Sequence, residues 1–183
     1  PLVYISTSEN FPKRCIIAQV NDDFDSISAV GSINVPNDWT TLGDIIVDVE
    51  NDKYYLMDIG LPSGSTEWAR SSLKLYEFSG IPTSGDTTID ISTARVINDT
   101  PIWLPYTQGG VFHDGKLWLC SGEGGAMYPA YLNVFDISGN TTKQTHKVYL
   151  SMGEPEDIDI LGDKVIIGGA GIKPLYQLYN FDV

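Results

Sequence analysis

Apolar and polar positions alternate along most of the chain, in short runs cut by Gly, Asn, Asp and Pro. A period of two is the signature of strands with one or both faces buried. Three runs share one pattern: SLKLYEFSG (72–80), YLNVFDISG (131–139) and LYQLYNF (175–181). They align without gaps. Leu73, Leu132 and Tyr176 correspond, as do Leu75, Val134 and Leu178, and Phe78, Ile137 and Phe181. Lys74, Asn133 and Gln177 fall between them, followed by Glu77, Asp136 and Asn180. Tyr76, Phe135 and Tyr179 make the second face apolar in part, so these strands are expected to be covered on both sides. CIIAQV (15–20) is a looser fourth copy.

A hairpin precedes each of the three copies: DIIVDVENDKYYLMDIG (44–60), GVFHDGKLWLCSG (110–122) and DIDILGDKVIIGG (157–169). Each reads as a strand, a tight polar turn, a lysine and an apolar strand. Asn51-Asp52, Asp114-Gly115 and Gly162-Asp163 supply the positive φ that two-residue hairpins need. Lys53, Lys116 and Lys164 follow the turns in register. PLVYIST at the start resembles the second strand of a further hairpin. SISAVGSINV, ISTARVIND and THKVYLSM follow the repeated strand and read as outer strands. The predicted unit is four antiparallel strands in roughly 45–65 residues. TEWARSSLKLYEF alone could pass for a helix, and the repeat register makes its second half a strand.

An ordered quartet of strands repeated in this way resembles the blades of β-propeller proteins. A sandwich or a single barrel would not repeat a quartet. The resemblance spans nearly the whole chain through general features. The Gly-His and Trp-Asp pairs of WD40 repeats, the Asp-box and the kelch pattern are absent. It implies an all-β propeller of four-stranded blades. Residues 1–36 are expected to give second, third and fourth strands, 37–100 and 101–152 a blade each, and 153–183 first, second and third strands. About three and a half blades fall short of a ring, so another chain or segment is expected to complete it.

Composition narrows the function. The 183 residues carry 24 Asp and Glu against 11 Lys and Arg, a net charge of −13. That balance disfavours nucleic acid and anionic membrane surfaces, where lysine and arginine must displace counterions. No apolar run is long enough to span a bilayer. No leader is visible, and a chain opening on Pro1 is expected to be processed or trimmed. Cys15 and Cys120, both in apolar runs, define no disulfide framework.

In a four-stranded meander the connections alternate between the two ends of the sheet. The long ones, after the fourth strand and between the second and third, fall at one end. They carry Trp39, Trp68, Arg70, Trp103, Tyr106, Gln108 and Tyr128, the candidate ligand-binding residues. Flat aromatic rings beside amides and carboxylates suit the C–H faces and hydroxyls of sugars, and suit protein hot spots equally. The expected role is a non-enzymatic recognition module for a glycan or protein. The acidic, Ser/Thr/Gly-rich composition is similar to that of surface and secreted modules, including the propeller platforms of phage tail receptor-binding proteins. An extracellular or virion-associated setting follows from that resemblance.

No catalytic residue is assigned. Glu123 and Glu154 are the pair that a polysaccharide hydrolase or lyase on this scaffold would use as acid and base. His113 and His146 lack the partners of a nucleophilic triad. No metal is assigned either. Asp23 and Asp25 follow Asn21 with the opening spacing of a calcium loop, but Ser26 and Ser32 stand where Gly and Glu belong. Glu156 and Asp157, opening an inner strand, are the other candidates for calcium. Asn140 heads a formal glycosylation triplet.

Overall fold

The computed structural model describes residues 1–7, 13–35, 42–60, 71–162 and 164–170, and the backbone of 177–180. These form an all-β structure of four sheets. The first contains β1 (Leu2–Thr7), β2 (Arg14–Val20) and β3 (Ile27–Asn34). The second is built on β4 (Leu42–Asp48), β5 (Lys53–Gly60) and β6 (Ser72–Ser79). β7 (Gly85–Thr88), β8 (Arg95–Val96) and β9 (Ile102–Trp103) follow it in the chain. The third sheet runs β10 (Thr107–His113), β11 (Lys116–Ser121), β12 (Tyr131–Ser138) and β13 (Thr141–Tyr149). The fourth runs β14 (Glu154–Leu161), β15 (Lys164–Ala170) and β16 (Gln177–Asn180).

Within each sheet the consecutive strands pair antiparallel, as the alternation predicts. Lys53, Lys116 and Lys164 face Asp48, His113 and Leu161 across the three hairpins. Asp52, Asp114, Gly115 and Gly162 adopt positive φ in the turns. β4 packs against β10, and β10 against β14, so the leading strands of three sheets lie side by side. β1 packs on β4, while β14 also touches β11.

Three apolar cores lie between successive sheets. Ile17, Ile33, Leu42, Leu56 and Phe78 join the first two sheets. Met57, Leu73, Leu75, Leu117 and Phe135 join the second and third. Trp118, Cys120, Leu132, Val134 and Ile167 join the third and fourth. A strand in a middle sheet feeds two cores with alternate residues. In β6, Leu73 and Leu75 enter one core while Tyr76 and Phe78 enter the other. Tyr76 and Phe135, second-face aromatics of two copies of the repeated strand, are therefore core, each burying a large apolar area.

The segment after β6 departs from the expected outer strand at 91–99. Ile91–Thr93 form a 3-10 turn capped by Asp90, whose carboxylate accepts from the Ser92 N–H at 2.9 Å. Arg95–Val96 pairs with β6 there, the Ile97 N–H donates on to the Leu75 carbonyl at 3.0 Å, and Ile102–Trp103 pairs with the other end of β6. Between them Asn98 is 1% exposed. Its Oδ1 accepts from the Leu75 N–H at 2.8 Å and its Nδ2 donates to the Leu73 carbonyl at 2.8 Å. A side-chain amide thus does the pairing of an absent stretch of backbone. Pro101, which has no N–H, accounts for the break.

β7, within the expected 37–100 segment, pairs outside the second sheet. It runs parallel with β3, extending the first sheet. A Cβ on Gly31 would overlap the Gly85 carbonyl oxygen and lie 2.6 Å from the Gly85 nitrogen, so this crossing requires glycine. Likewise β9, from the segment expected to form the third sheet, belongs to the second.

Candidate functional site

Three connections meet at one end of the third and fourth sheets. The Gly122 N–H donates to the carbonyls of Pro105 and Tyr106, each at 3.0 Å. The Leu150 N–H donates to the Ala130 carbonyl at 2.9 Å. Gly124, at φ +71, lies so close to Gly153 that an added Cβ would come within 2.6 Å of the Gly153 Cα. The segments 104–106, 122–130 and 150–154 are therefore held as one surface by backbone contacts.

That surface gathers aromatic rings. Tyr106, itself at φ 50, meets Tyr128 with ring centroids 5.1 Å apart. Tyr131 and Tyr149, paired across β12 and β13, meet edge-on at 6.1 Å. The Lys147 ammonium sits 4.1 Å from the Tyr131 ring centre. Tyr149 is 62% exposed. Polar groups lie beside the rings. Gln108 on β10 donates from Nε2 to Glu154 Oε1 on β14 at 2.8 Å. The Glu123 N–H donates to the Tyr128 carbonyl at 3.0 Å, and the residue is exposed. Burial, then the neighbouring Glu154 charge, raises the Glu156 carboxyl above the ordinary carboxylate range.

Of the residues singled out from sequence, Tyr106 and Tyr128 are brought into contact, and Gln108 is joined to Glu154. Trp103 is exposed on β9, beside Ser72 of β6. Trp39, Trp68 and Arg70 lie outside the described residues. Asp25 is held within a local turn. Its N–H donates to Asn21 Oδ1 at 3.0 Å, and its carboxylate accepts from Asn21 Nδ2 at 2.7 Å. That accounts for the Asn-x-Asp-x-Asp string as turn chemistry, and Asp23 lies exposed in the same turn. Among the described residues no three Asp, Glu, His or Cys side chains converge as metal ligands.

Two groups of residues emerge from the structure alone. Tyr131 and Tyr149 sit at strand ends, where alternation marks them as strand positions without giving their neighbours. The other group is Asp44 on β4. Its Oδ1 accepts from the Ile45 N–H at 2.7 Å and its Oδ2 from the Gly110 N–H at 3.2 Å. Gly109 lies flush against Asp157 of β14, where a Cβ would fall 2.6 Å from the Asp157 Cα and overlap its Oδ1. Two carboxylates thus flank one Gly-Gly step of β10. Burial raises the Asp157 carboxyl. Burial and the Asp157 charge push Asp44 up to about 7, against the two N–H groups that lower it. Each leading strand has a bulge at this level: between Leu42 and Ile45, Thr107 and Gly110, and Pro155 and Asp157.

Set against known proteins, the sequence matches no family model and no curated protein. Cys15 and Cys120 are both buried, and burial pushes their thiols up to about 12.

Proposed function

We propose that the chain is a recognition module built as a β-propeller, or most of one, and that it binds a glycan at the end where Tyr106 and Tyr128 meet. The observation that carries the binding reading is the Tyr106–Tyr128 contact beside the Gln108–Glu154 hydrogen bond. Tyrosine rings offer flat apolar faces with a polar tip, at low conformational cost. The carboxylates and the Gln108 amide supply acceptors and donors for hydroxyl groups. Such a role carries with it an extracellular or virion-associated setting.

Side-by-side leading strands, with cores between successive sheets, support a propeller rather than two stacked sheets. β1 packs on β4 as β11 packs on β14, which supports reading β1 as the second strand of its sheet. The leading strand of that sheet then comes from another segment or chain, added along the side of β1 that no described strand pairs, where Val3 and Ile5 are 39% and 42% exposed.

A glycan array probed with the full chain, followed by calorimetry on the best ligand, tests the binding reading. Tyr106→Ala and Gln108→Ala are each expected to weaken binding about ten-fold, as loss of about 1.4 kcal/mol would, with the melting temperature of Gln108→Ala unchanged. Undiminished binding in both variants would refute it. Turnover of a polysaccharide that disappears in Glu154→Gln would instead make the protein a hydrolase or lyase. Silence on the array together with a co-purifying protein captured through Tyr106 and Tyr128 would make the ligand a protein.

A further inference from the structure

A cavity of about 240 Å³ opens at the other end of the leading strands, among the β4–β5 and β10–β11 turns and the end of β14. Its walls are apolar at Val47, Phe112 and Ile160, and carboxylates stand at Glu50, Asp114 and Asp159. Below the roughly 300–1,000 Å³ of drug-sized sites, it has room for one side chain or a small amine.

The inventory of charge decides the sign of the occupant. Asp48, also in the lining, is held by the Asn51 N–H at 3.2 Å and the Asn51 amide at 2.8 Å. Asp114 has His113 Nε2 at 3.5 Å. Each of the three neighbouring hairpins also carries a lysine just after its turn. Lys53 is committed to Glu77 at 3.2 Å, while Lys116 and Lys164, opposite His113 and Leu161 in register, lie outside the cavity lining. Glu50 and Asp159 are exposed. Short apolar walls ending in carboxylates match an alkyl stem ending in a cation, which keeps its charged tip in water while burying its methylenes.

We propose that this cavity accepts a primary alkylammonium group, in the form of a lysine side chain of a partner protein. The site lies away from Tyr106 and Tyr128 and does not depend on the glycan reading. Net charge of −13 favours encounter with such a partner at low salt.

The test uses the full chain and amide NMR, with N-acetyl-lysine methylamide as probe and its norleucine counterpart as the neutral control. Saturable shifts at Val49, Gly115 and Ile160 are expected with the lysine probe and not with norleucine. Each of Glu50→Gln and Asp159→Asn is expected to lower the affinity about five-fold, the scale of one exposed charge pair. Both side chains are exposed, so the remaining amide spectrum should stay as in the parent. Binding should also fade as salt shortens the screening length from about 30 Å to about 3 Å. Equal shifts with norleucine, affinity unchanged in both variants, or saturation by putrescine but not by the lysine probe would each overturn the proposal.

Discussion

At the scale of single residues, Asp44 on β4 is a carboxyl whose environment couples folding to pH. In the unfolded chain it titrates near the ordinary 3.8, and in the folded protein near about 7. Between those values the folded state holds a proton that the unfolded state has lost. Folding stability therefore falls as pH rises from about 4 to about 7, then levels off. Asp157 and Glu156 shift in the same direction and share the slope. Denaturant unfolding across this range is expected to show a loss of about 2 kcal/mol from Asp44, less than full linkage gives because the carboxyl is only half-buried. Asp44→Asn, which keeps an acceptor for the Ile45 N–H, should flatten that part of the slope. An unchanged slope would contradict the assignment. Gly109→Ala addresses the same contact from the other side. Its methyl would meet the Asp157 backbone, which cannot rotate away, and a loss of about 1–3 kcal/mol is expected, read as a lowered melting temperature.

At the scale of elements, β6 shows what the alternation made legible and what it did not. Leu73, Leu75, Tyr76 and Phe78 were recognisable as strand residues with two apolar faces, because a period of two survives any tertiary arrangement. The outer neighbour of β6 was not recognisable. The Asn98 side chain replaces backbone pairing there, and no periodic pattern encodes a single amide reaching across a gap. β7 was hidden for a similar reason, since GDTT pairs parallel with β3 through the accident of glycine at Gly31. Asn98→Ala leaves the Leu75 N–H and Leu73 carbonyl without partners in a buried setting. It is expected to cost about 2–3 kcal/mol, measured by chemical denaturation, whereas a loss below about half a kcal/mol would mean water replaces the amide. Glu77 makes the neighbouring β8 pairing specific. It receives Arg95 through two hydrogen bonds of 3.0 and 2.7 Å and Lys53 at 3.2 Å. Burial alone would raise the Glu77 carboxyl, and these cations outweigh it and hold it below its usual range. Arg95 continues to the Gly139 carbonyl at 3.1 Å, tying the second sheet to the third.

At the scale of the whole molecule, the repeat in the sequence became four sheets with a core between each successive pair. That much follows from apolar residues on both faces of a strand, which require a sheet on either side. The candidate binding end was legible only in part. Tyr106 and Tyr128 could be assigned to connections by the order of strands, whereas Gln108, expected in the same connection as Tyr106, lies at the start of β10 instead, and which rings touch depends on loop-to-loop contacts such as Gly124 on Gly153. Tyr131 and Tyr149 entered the surface for the same reason. The measurement that bears most directly on the whole account is a crystal structure of the chain. It is expected to show β4, β10 and β14 side by side around one axis, with segments 104–106, 122–130 and 150–154 at one end and the cavity between Glu50, Asp114 and Asp159 at the other. Sheets stacked face to face in two layers, or Tyr106 and Tyr128 at opposite ends of the molecule, would contradict it.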